Sequence, residues 1–185
     1  MLRRILLLIA AAGCWAAAVY IVVSGGLPER AAFTGQIIPG ERPVAPEINA
    51  VAPPFEAATL SGARINLLDL RGSVVLINFW ATWCEPCRVE MPELQALYEG
   101  YQAQGLRVLA VNLGEEAALA QSWVDEFGLT FEILLDPQQQ IAALYYLRGQ
   151  PSTYVVSPSG VITHISYGPA SLTTLEAAIA PFVQR

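Results

Sequence analysis

Residues 78–92 read NFWATWCEPCRVEMP, and they carry the pattern that decides the fold. They continue the apolar, β-branched run Val74–Trp80, which is typical of a strand buried on both faces. Cys84 and Cys87 follow with two residues between them, and Pro86 favours the first position of a helix. This order places Cys84 at a helix N-terminus, where unpaired N–H groups and the helix dipole stabilise a thiolate.

Two cysteines at this spacing can close into a disulfide and open again. We expect Cys84 to attack the disulfide of a partner protein. Cys87, one turn inside the helix and more buried, is then expected to resolve the mixed disulfide. The alternative is a structural disulfide or a pair of unreactive core cysteines. The strand before the pair and the helix after it favour the redox interpretation.

The rest of the soluble part alternates between predicted strands and helices. The predicted strands are 106–113, 131–135, 153–156 and 161–167. The predicted helices are 86–102, 115–127 and 172–183, with a short helix after residue 137 and a β-hairpin at 55–70. This order predicts an α/β fold in which helices flank a mixed central sheet.

Composition excludes several classes of function. Residues 51–185 contain six Arg against thirteen Asp and Glu, a balance of −7, which argues against a nucleic-acid partner. All ten cationic residues are Arg, so Schiff-base and P-loop chemistry, which need a Lys, are excluded. A structural zinc site needs four ligands, and Cys84, Cys87 and His164 supply three at most.

The N-terminal segment predicts a membrane anchor. Residues 5–23 carry no charge and are long enough to span a bilayer as a helix. The positive-inside rule places residues 1–4 in the cytoplasm, and the linker 24–50 and the domain 51–185 on the extracytoplasmic face. Two alternatives stay open: a cleaved signal peptide and lipidation at Cys14.

The segment 78–92 resembles the active-site segment of the membrane-anchored thioredoxin-like proteins of the ResA/TlpA type, in the AhpC/TSA redoxin superfamily. The likeness extends to residues 52–55, 69–72, 105–114, 128–136 and 148–153. It implies a thioredoxin fold with an N-terminal β-hairpin extension. It also implies a cis-proline loop that faces the cysteines, and this loop maps onto Pro151.

The resemblance also assigns a role to Glu90. In the ResA-like group, a glutamate three positions after the second cysteine tunes the active-site thiols. Typical thioredoxins carry an Asp on the preceding strand, where this chain has Asn78, which cannot carry a proton. Glu90 is therefore the predicted general base toward Cys87. The alternative is a solvated carboxylate on the helix surface.

Five residues around the cysteines are predicted to contact the substrate: Trp83, Glu85, Pro86, Gln150 and Pro151. The backbone at Gln150 would pair with an extended substrate as an added strand. The negative charge of Glu85 destabilises a neighbouring thiolate and should raise the cysteine pKa. We therefore expect the cysteine pair to be reducing.

The resemblance implies an extracytoplasmic thiol–disulfide oxidoreductase that needs no cofactor beyond its own redox-active disulfide. A typical substrate would be apocytochrome c, with electrons supplied by a membrane thiol transporter of the CcdA/DsbD type. A thiol peroxidase is one alternative, although such enzymes need a Thr or Ser where this chain has Ala81. A copper-carrying module that uses Cys84, Cys87 and His164 is another.

Overall fold

The computed structural model of the chain describes residues 42–183. The predicted cytoplasmic residues 1–4, the anchor 5–23, Cys14 and the greater part of the linker 24–50 lie outside the described residues. Within residues 42–183, no helix combines the length and the apolar character that a membrane crossing requires.

One seven-stranded sheet forms the centre of the described domain. Its strands are β1 (Glu56–Thr59), β2 (Arg64–Asn66), β3 (Val74–Trp80), β4 (Leu106–Leu113), β5 (Glu132–Asp136), β6 (Ser152–Val156) and β7 (Ile162–Tyr167). The helices are α1 (Glu85–Tyr101), α2 (Ala117–Phe127), α3 (Gln140–Leu144) and α4 (Leu172–Ile179). Short 3-10 turns at Leu67–Leu70 and Gln102–Gln104 follow β2 and α1.

The sheet is mixed, as the sequence predicts. Its strand order is β2-β1-β5-β4-β3-β6-β7. The pairs β3–β4 and β4–β5 are parallel, and the other four pairs are antiparallel. All seven residues of β3 are buried, because the strand lies inside the sheet with helices covering its faces. The observed architecture is a thioredoxin-like α/β fold that carries the predicted β1–β2 hairpin.

The boundaries of β3 and β4 agree with their predicted bounds, whereas four helix ends differ, among them the end of α1, which lies at Tyr101 instead of residue 102. Helix α1 begins at Glu85, so Pro86 occupies the second helical position instead of the first. The missing N–H of Pro86 still costs nothing, because the first turn has no intrahelical partners for its donors. Helix α2 begins at Ala117, two residues later than predicted, and α4 ends at Ile179 instead of residue 183.

Hydrogen bonds of the domain begin before Val51. The backbone N–H of Val51 donates to Pro43 O at 2.8 Å. The N–H of Asn49 donates to Ile162 O at 2.8 Å, and Ile162 N–H returns a bond to Ala50 O at 2.9 Å. The described end of the predicted linker is thus attached to the start of β7.

Aromatic packing fixes the start of α1 against α2. Trp80, at the end of β3, is fully buried and stacks on Trp123 with ring centroids 5.2 Å apart. The Arg88 guanidinium lies over the Trp123 ring, 5.1 Å from its centroid, and also pairs with Glu126. These contacts hold the first turn of α1, which carries the cysteines, in a fixed position on the sheet.

Candidate active site

Cys84 and Cys87 form a disulfide at the N-terminus of α1. Their sulfurs are 2.02 Å apart and their Cα atoms 5.3 Å apart. Cys84 is the N-cap residue of the helix, as predicted from the strand before it and the Pro after it. Cys84 is 4% exposed and Cys87 is completely buried, so Cys84 is the more accessible of the two.

The helix N-terminus points one backbone donor at the sulfur of Cys84 and two at its carbonyl. The N–H of Cys87 lies 3.2 Å from Cys84 Sγ, and this N–H and that of Arg88 point at the carbonyl of Cys84. Such donors and the helix dipole favour negative charge on the sulfur once the disulfide opens. The geometry therefore suits Cys84 to the role of attacking or leaving thiolate.

Glu90 lies behind the disulfide in a buried hydrogen-bond network. Its carboxyl group is fully buried. Asn78 Nδ2 donates to Glu90 Oε2 at 2.8 Å, and Ala170 N–H and Thr153 Oγ1 donate to Oε1 at 3.0 and 3.3 Å. The interpretation of Glu90 as a solvated helix carboxylate is therefore wrong. We call Asn78, Glu90, Thr153 and Ala170 the buried network.

Burial raises the pKa of Glu90, because the apolar surroundings disfavour its charged form. The donors from Ala170, Asn78 and Thr153 act in the opposite direction and stabilise the carboxylate, but they do not cancel the effect of burial on the pKa. Asn78 suits both protonation states. Its Nδ2 donates to the carboxylate, and its Oδ1, which is buried and has no partner in residues 42–183, can accept from the acid after the amide rotates.

The loop that precedes β6 lies beside the end of β3, where Ser152 is opposite Phe79. The peptide bond between Gln150 and Pro151 is cis, as the resemblance implies. Ser152 Oγ donates to Gly149 O at 2.7 Å, and Gly168 N–H donates to Pro151 O at 2.9 Å. Pro151 is buried and Gln150 is half-buried, so the backbone of this loop has a fixed shape at the surface.

The predicted substrate-contacting residues beside Cys84 lie on the outside of the same site. Trp83 is 68% exposed, and Glu85 and Pro86 are also exposed. Trp83 and Gln150 line a common cavity, which brings the cysteine loop and the cis-proline loop together. The structure thus places Trp83, next to Cys84, and Gln150, next to Pro151, at one cavity.

The sequence analysis missed Glu115, which holds the loop before Cys84. Its carboxylate accepts from Thr82 N–H at 2.8 Å, from Thr82 Oγ1, and from Asn112 Nδ2 at 2.7 Å. Glu115 follows Gly114 just after β4, beside the end of the parallel strand β3. A polar residue at the carboxyl end of a central parallel strand is the signal that could have identified it.

His164 lies apart from the cysteines. It stands on β7 opposite Val155, and a ring nitrogen lies 3.0 Å from Ser166 Oγ. The described part of the chain contains no group of three or more His, Cys, Asp or Glu side chains that could hold a metal ion. The copper-carrying alternative therefore gains no set of ligands from the geometry.

Ala81 bears on the peroxidase alternative. It is fully buried, and its carbonyl accepts from Cys84 N–H at 3.1 Å. Its side chain has no hydroxyl to place beside Cys84, so the residue type that a thiol peroxidase needs at this position is missing.

Comparison with known proteins agrees with this geometry. Residues 48–165 match the AhpC/TSA family. Thiol-disulfide oxidoreductase ResA of Geobacillus thermodenitrificans is 40% identical over 121 residues, which cover 65% of this chain and 70% of ResA. The thioredoxin-like protein YneN of Bacillus subtilis is 41% identical over 128 residues, covering 68% of this chain and 74% of YneN.

A solved structure has the same fold. A Chlorobium tepidum protein assigned as thiol:disulfide interchange protein DsbE superposes with a TM-score of 0.68 at 30% identity, covering 73% of this chain and 96% of that protein. The family match spans more than half of the chain, and the site has the dithiol that the relatives' activity requires. The chain belongs to the AhpC/TSA family, and it is a thiol-disulfide oxidoreductase.

Proposed function

We propose that this enzyme is an extracytoplasmic oxidoreductase that reduces disulfides of partner proteins through Cys84 and Cys87. The observation that carries the proposal is the arrangement of the pair. Cys84 is the sulfur nearest the surface at a helix N-terminus, and Cys87 is buried one turn inside the same helix as Glu90. The two sulfurs therefore have different surroundings, as attack and resolution require.

The reaction transfers two electrons and two protons to the partner. The Cys84 thiolate attacks one sulfur of the partner's disulfide, a mixed disulfide forms, and the other partner sulfur leaves as a thiolate that takes up a proton. Cys87 loses its proton and attacks Cys84 Sγ. The mixed disulfide breaks, and the second partner sulfur leaves and is protonated. The enzyme ends as the Cys84–Cys87 disulfide.

Glu90 is the group that accepts the proton of Cys87. It lies three positions after Cys87 and therefore on the same side of α1. Burial raises its pKa, which brings its proton affinity closer to that of a thiol and makes the transfer less unfavourable. Asn78 occupies the strand position of the usual aspartate, and its amide orients the carboxyl of Glu90 through the 2.8 Å bond.

The direction of electron flow follows from the charge next to Cys84. Glu85 stands in the first turn of α1 and is exposed. An anion beside a developing thiolate disfavours it, and a less stable thiolate makes the dithiol a better reductant. We therefore assign the enzyme to the reducing side of thiol–disulfide exchange.

The resemblance supports the remaining parts of the proposal. Residues 5–23 anchor the enzyme in the membrane, and the domain works on the extracytoplasmic face. Its substrate is the pair of haem-site cysteines of apocytochrome c, and a membrane thiol transporter of the CcdA/DsbD type returns it to the dithiol state. Labelling of the reduced enzyme in intact cells with a membrane-impermeant maleimide tests the location, and labelling only after lysis contradicts it.

The division of roles is tested by trapping. A Cys87→Ser variant, in which Cys84 attacks but no thiol resolves the product, should accumulate a one-to-one mixed disulfide with a disulfide peptide based on a haem-attachment segment. A Cys84→Ser variant should form none. Mass spectrometry distinguishes the two, and a mixed disulfide on Cys87 in the Cys84→Ser variant would reverse the assignment.

The direction is tested by the reduction potential of the full-length chain in detergent, measured in glutathione buffers. We expect a potential close to that of thioredoxin, about −270 mV. A value near that of the oxidant DsbA, about −120 mV, would contradict the reducing role.

A further inference from the structure

The exposed aromatic side chains of residues 42–183 gather around the active site. Trp83 is 68% exposed, and Tyr146 and Tyr167 are each 71% exposed, while the other exposed large apolar side chains of this range are aliphatic. Trp83 and Tyr146 line a cavity of about 560 Å³, and Tyr167 lines a second cavity of about 360 Å³. Exposed clusters of Trp and Tyr are typical of surfaces that bind other proteins.

The two cavities share one loop. Residues 148–150 line both cavities, and Pro151 and Gly168 complete the second. A polypeptide that pairs with the backbone at Gln150 therefore lies next to both cavities. One cavity offers Trp83 and Tyr146, and the other offers Tyr167.

The backbone at Tyr146 supports a role for its side chain. Its φ of 47° is in the left-handed region, which a bulky residue seldom adopts. Such a conformation costs free energy, and residues of this kind cluster at functional sites. Here the conformation accompanies an aromatic ring held in the open at the edge of the larger cavity.

Arg148 supplies the cationic side chain of the two cavities. It is exposed and lines both cavities. Within the described residues it has no carboxylate partner within 4.0 Å. Arg42 and Arg71 are likewise unpaired there, but neither lines these two cavities. Its charge is therefore available to a bound molecule in a domain that is otherwise acidic.

We propose that Trp83, Tyr146, Arg148 and Tyr167 form a docking surface for an extended polypeptide, and that Arg148 selects substrates with a carboxylate side chain close to the reacting cysteine. The inference rests on the proposed reduction of protein disulfides and names the class of segment that is reduced. The aromatic rings cover apolar parts of the segment, and the guanidinium pairs with the carboxylate. Screening by salt confines this preference to carboxylates within about 10 Å of the Arg148 guanidinium.

The preference is tested with matched disulfide peptides and the reduced full-length enzyme in detergent. The peptides differ at one position, which is Glu, Gln or Lys, and this position is moved through the three residues on each side of the cysteine. At one or more positions, kcat/KM for the Glu peptide should exceed that for the Gln peptide by about two- to fivefold at low ionic strength, as for an exposed ion pair. The Lys peptide should be slowest, and added salt should reduce the differences.

Variants assign the preference to Arg148. Arg148→Gln should bring the Glu-to-Gln ratio of kcat/KM to one, and Arg148→Glu should reverse the order of the Glu and Lys peptides. Arg64→Gln is the matched control, because Arg64 is an exposed arginine on the strand β2 at the opposite edge of the sheet, and it should keep the wild-type ratio.

The possible failures are distinguishable. Equal rates for the Glu, Gln and Lys peptides at every position would overturn the selectivity while leaving disulfide reduction intact. A preference for Glu that survives Arg148→Gln would overturn the role of Arg148. If no peptide disulfide is reduced, the proposed function fails and this inference fails with it.

Discussion

The two sides of the Cys84–Cys87 disulfide are built in opposite ways. On the inner side, the buried network satisfies the carboxylate of Glu90 with three donors contributed by β3, β6 and the segment before α4. On the outer side, the docking surface exposes three aromatic rings and a guanidinium that has no carboxylate partner among the described residues. The fold alone therefore positions Glu90 for proton transfer, whereas the side chains of the docking surface find their contacts only when a substrate binds. Substitutions should separate chemistry on one side from recognition on the other.

The largest effect is expected from Glu90→Gln, which keeps the shape of the side chain but removes its ability to take a proton. Resolution of the mixed disulfide should slow by about 10²-fold, the low end of general acid–base contributions. The pH–rate profile should also lose the step that Glu90 contributes. Single-turnover release of the second substrate thiol measures both quantities.

Glu116→Gln is the matched control for this measurement. Glu116 is an exposed carboxylate that makes no capping bond at the start of α2, and the variant should keep the wild-type profile. An unchanged pH–rate profile in Glu90→Gln would show that the buried carboxyl takes no part in proton transfer.

The next largest effect is expected from Glu115→Ala. Glu115 accepts hydrogen bonds from Thr82, in the loop that carries Trp83, and from Asn112 on β4. The variant leaves the N–H of Thr82 and the amide of Asn112 without their acceptor. The free energy of unfolding should fall by about 1–3 kcal/mol, the cost of leaving partly buried donors unpaired. Urea denaturation of the oxidised enzyme measures it, and Glu116→Ala should stay within about 0.5 kcal/mol of wild type. A loss as small as the control's would mean that the loop does not depend on Glu115.

The raised pKa of Glu90 also predicts a pH dependence of stability. Since the folded state holds this proton more tightly than the unfolded chain, the contribution of Glu90 is complete below the unfolded pKa of about 4.3. It is lost as the pH rises through the folded pKa. Urea titrations of wild type and of Glu90→Gln measure the free energy of unfolding of each. The value for wild type minus the value for Glu90→Gln should fall as the pH rises from 4 toward neutrality. A difference that rises with pH would mean that the donors from Asn78, Thr153 and Ala170 outweigh burial.

Local patterns predicted the strands and the cysteines but not the partners of Glu90. β3 and β4 are long apolar runs, and the bounds of such strands can be predicted from the local sequence without knowledge of tertiary contacts. Thr153 and Ala170 lie 63 and 80 residues after Glu90, and only the closed sheet brings them to its carboxyl group. The start of α2 was missed for a related reason. Glu115 is a good helix former, but its carboxylate binds Thr82 on the neighbouring loop, and the helix starts two residues later.

The smallest effect on stability is expected from Trp83→Ala, and this small effect is informative. Because Trp83 is 68% exposed, its removal should change the free energy of unfolding by no more than about 0.5 kcal/mol. The KM for a polypeptide disulfide should nevertheless rise, while the single-turnover rate of resolution, which depends on Cys87 and Glu90, should not change. Leu119→Ala, which truncates an exposed side chain of α2 outside both cavities, should alter neither quantity. If Trp83→Ala instead slows resolution as much as Glu90→Gln does, the ring acts on the cysteines themselves. Proton transfer and substrate recognition would then not be separated between the inner and outer sides of the disulfide.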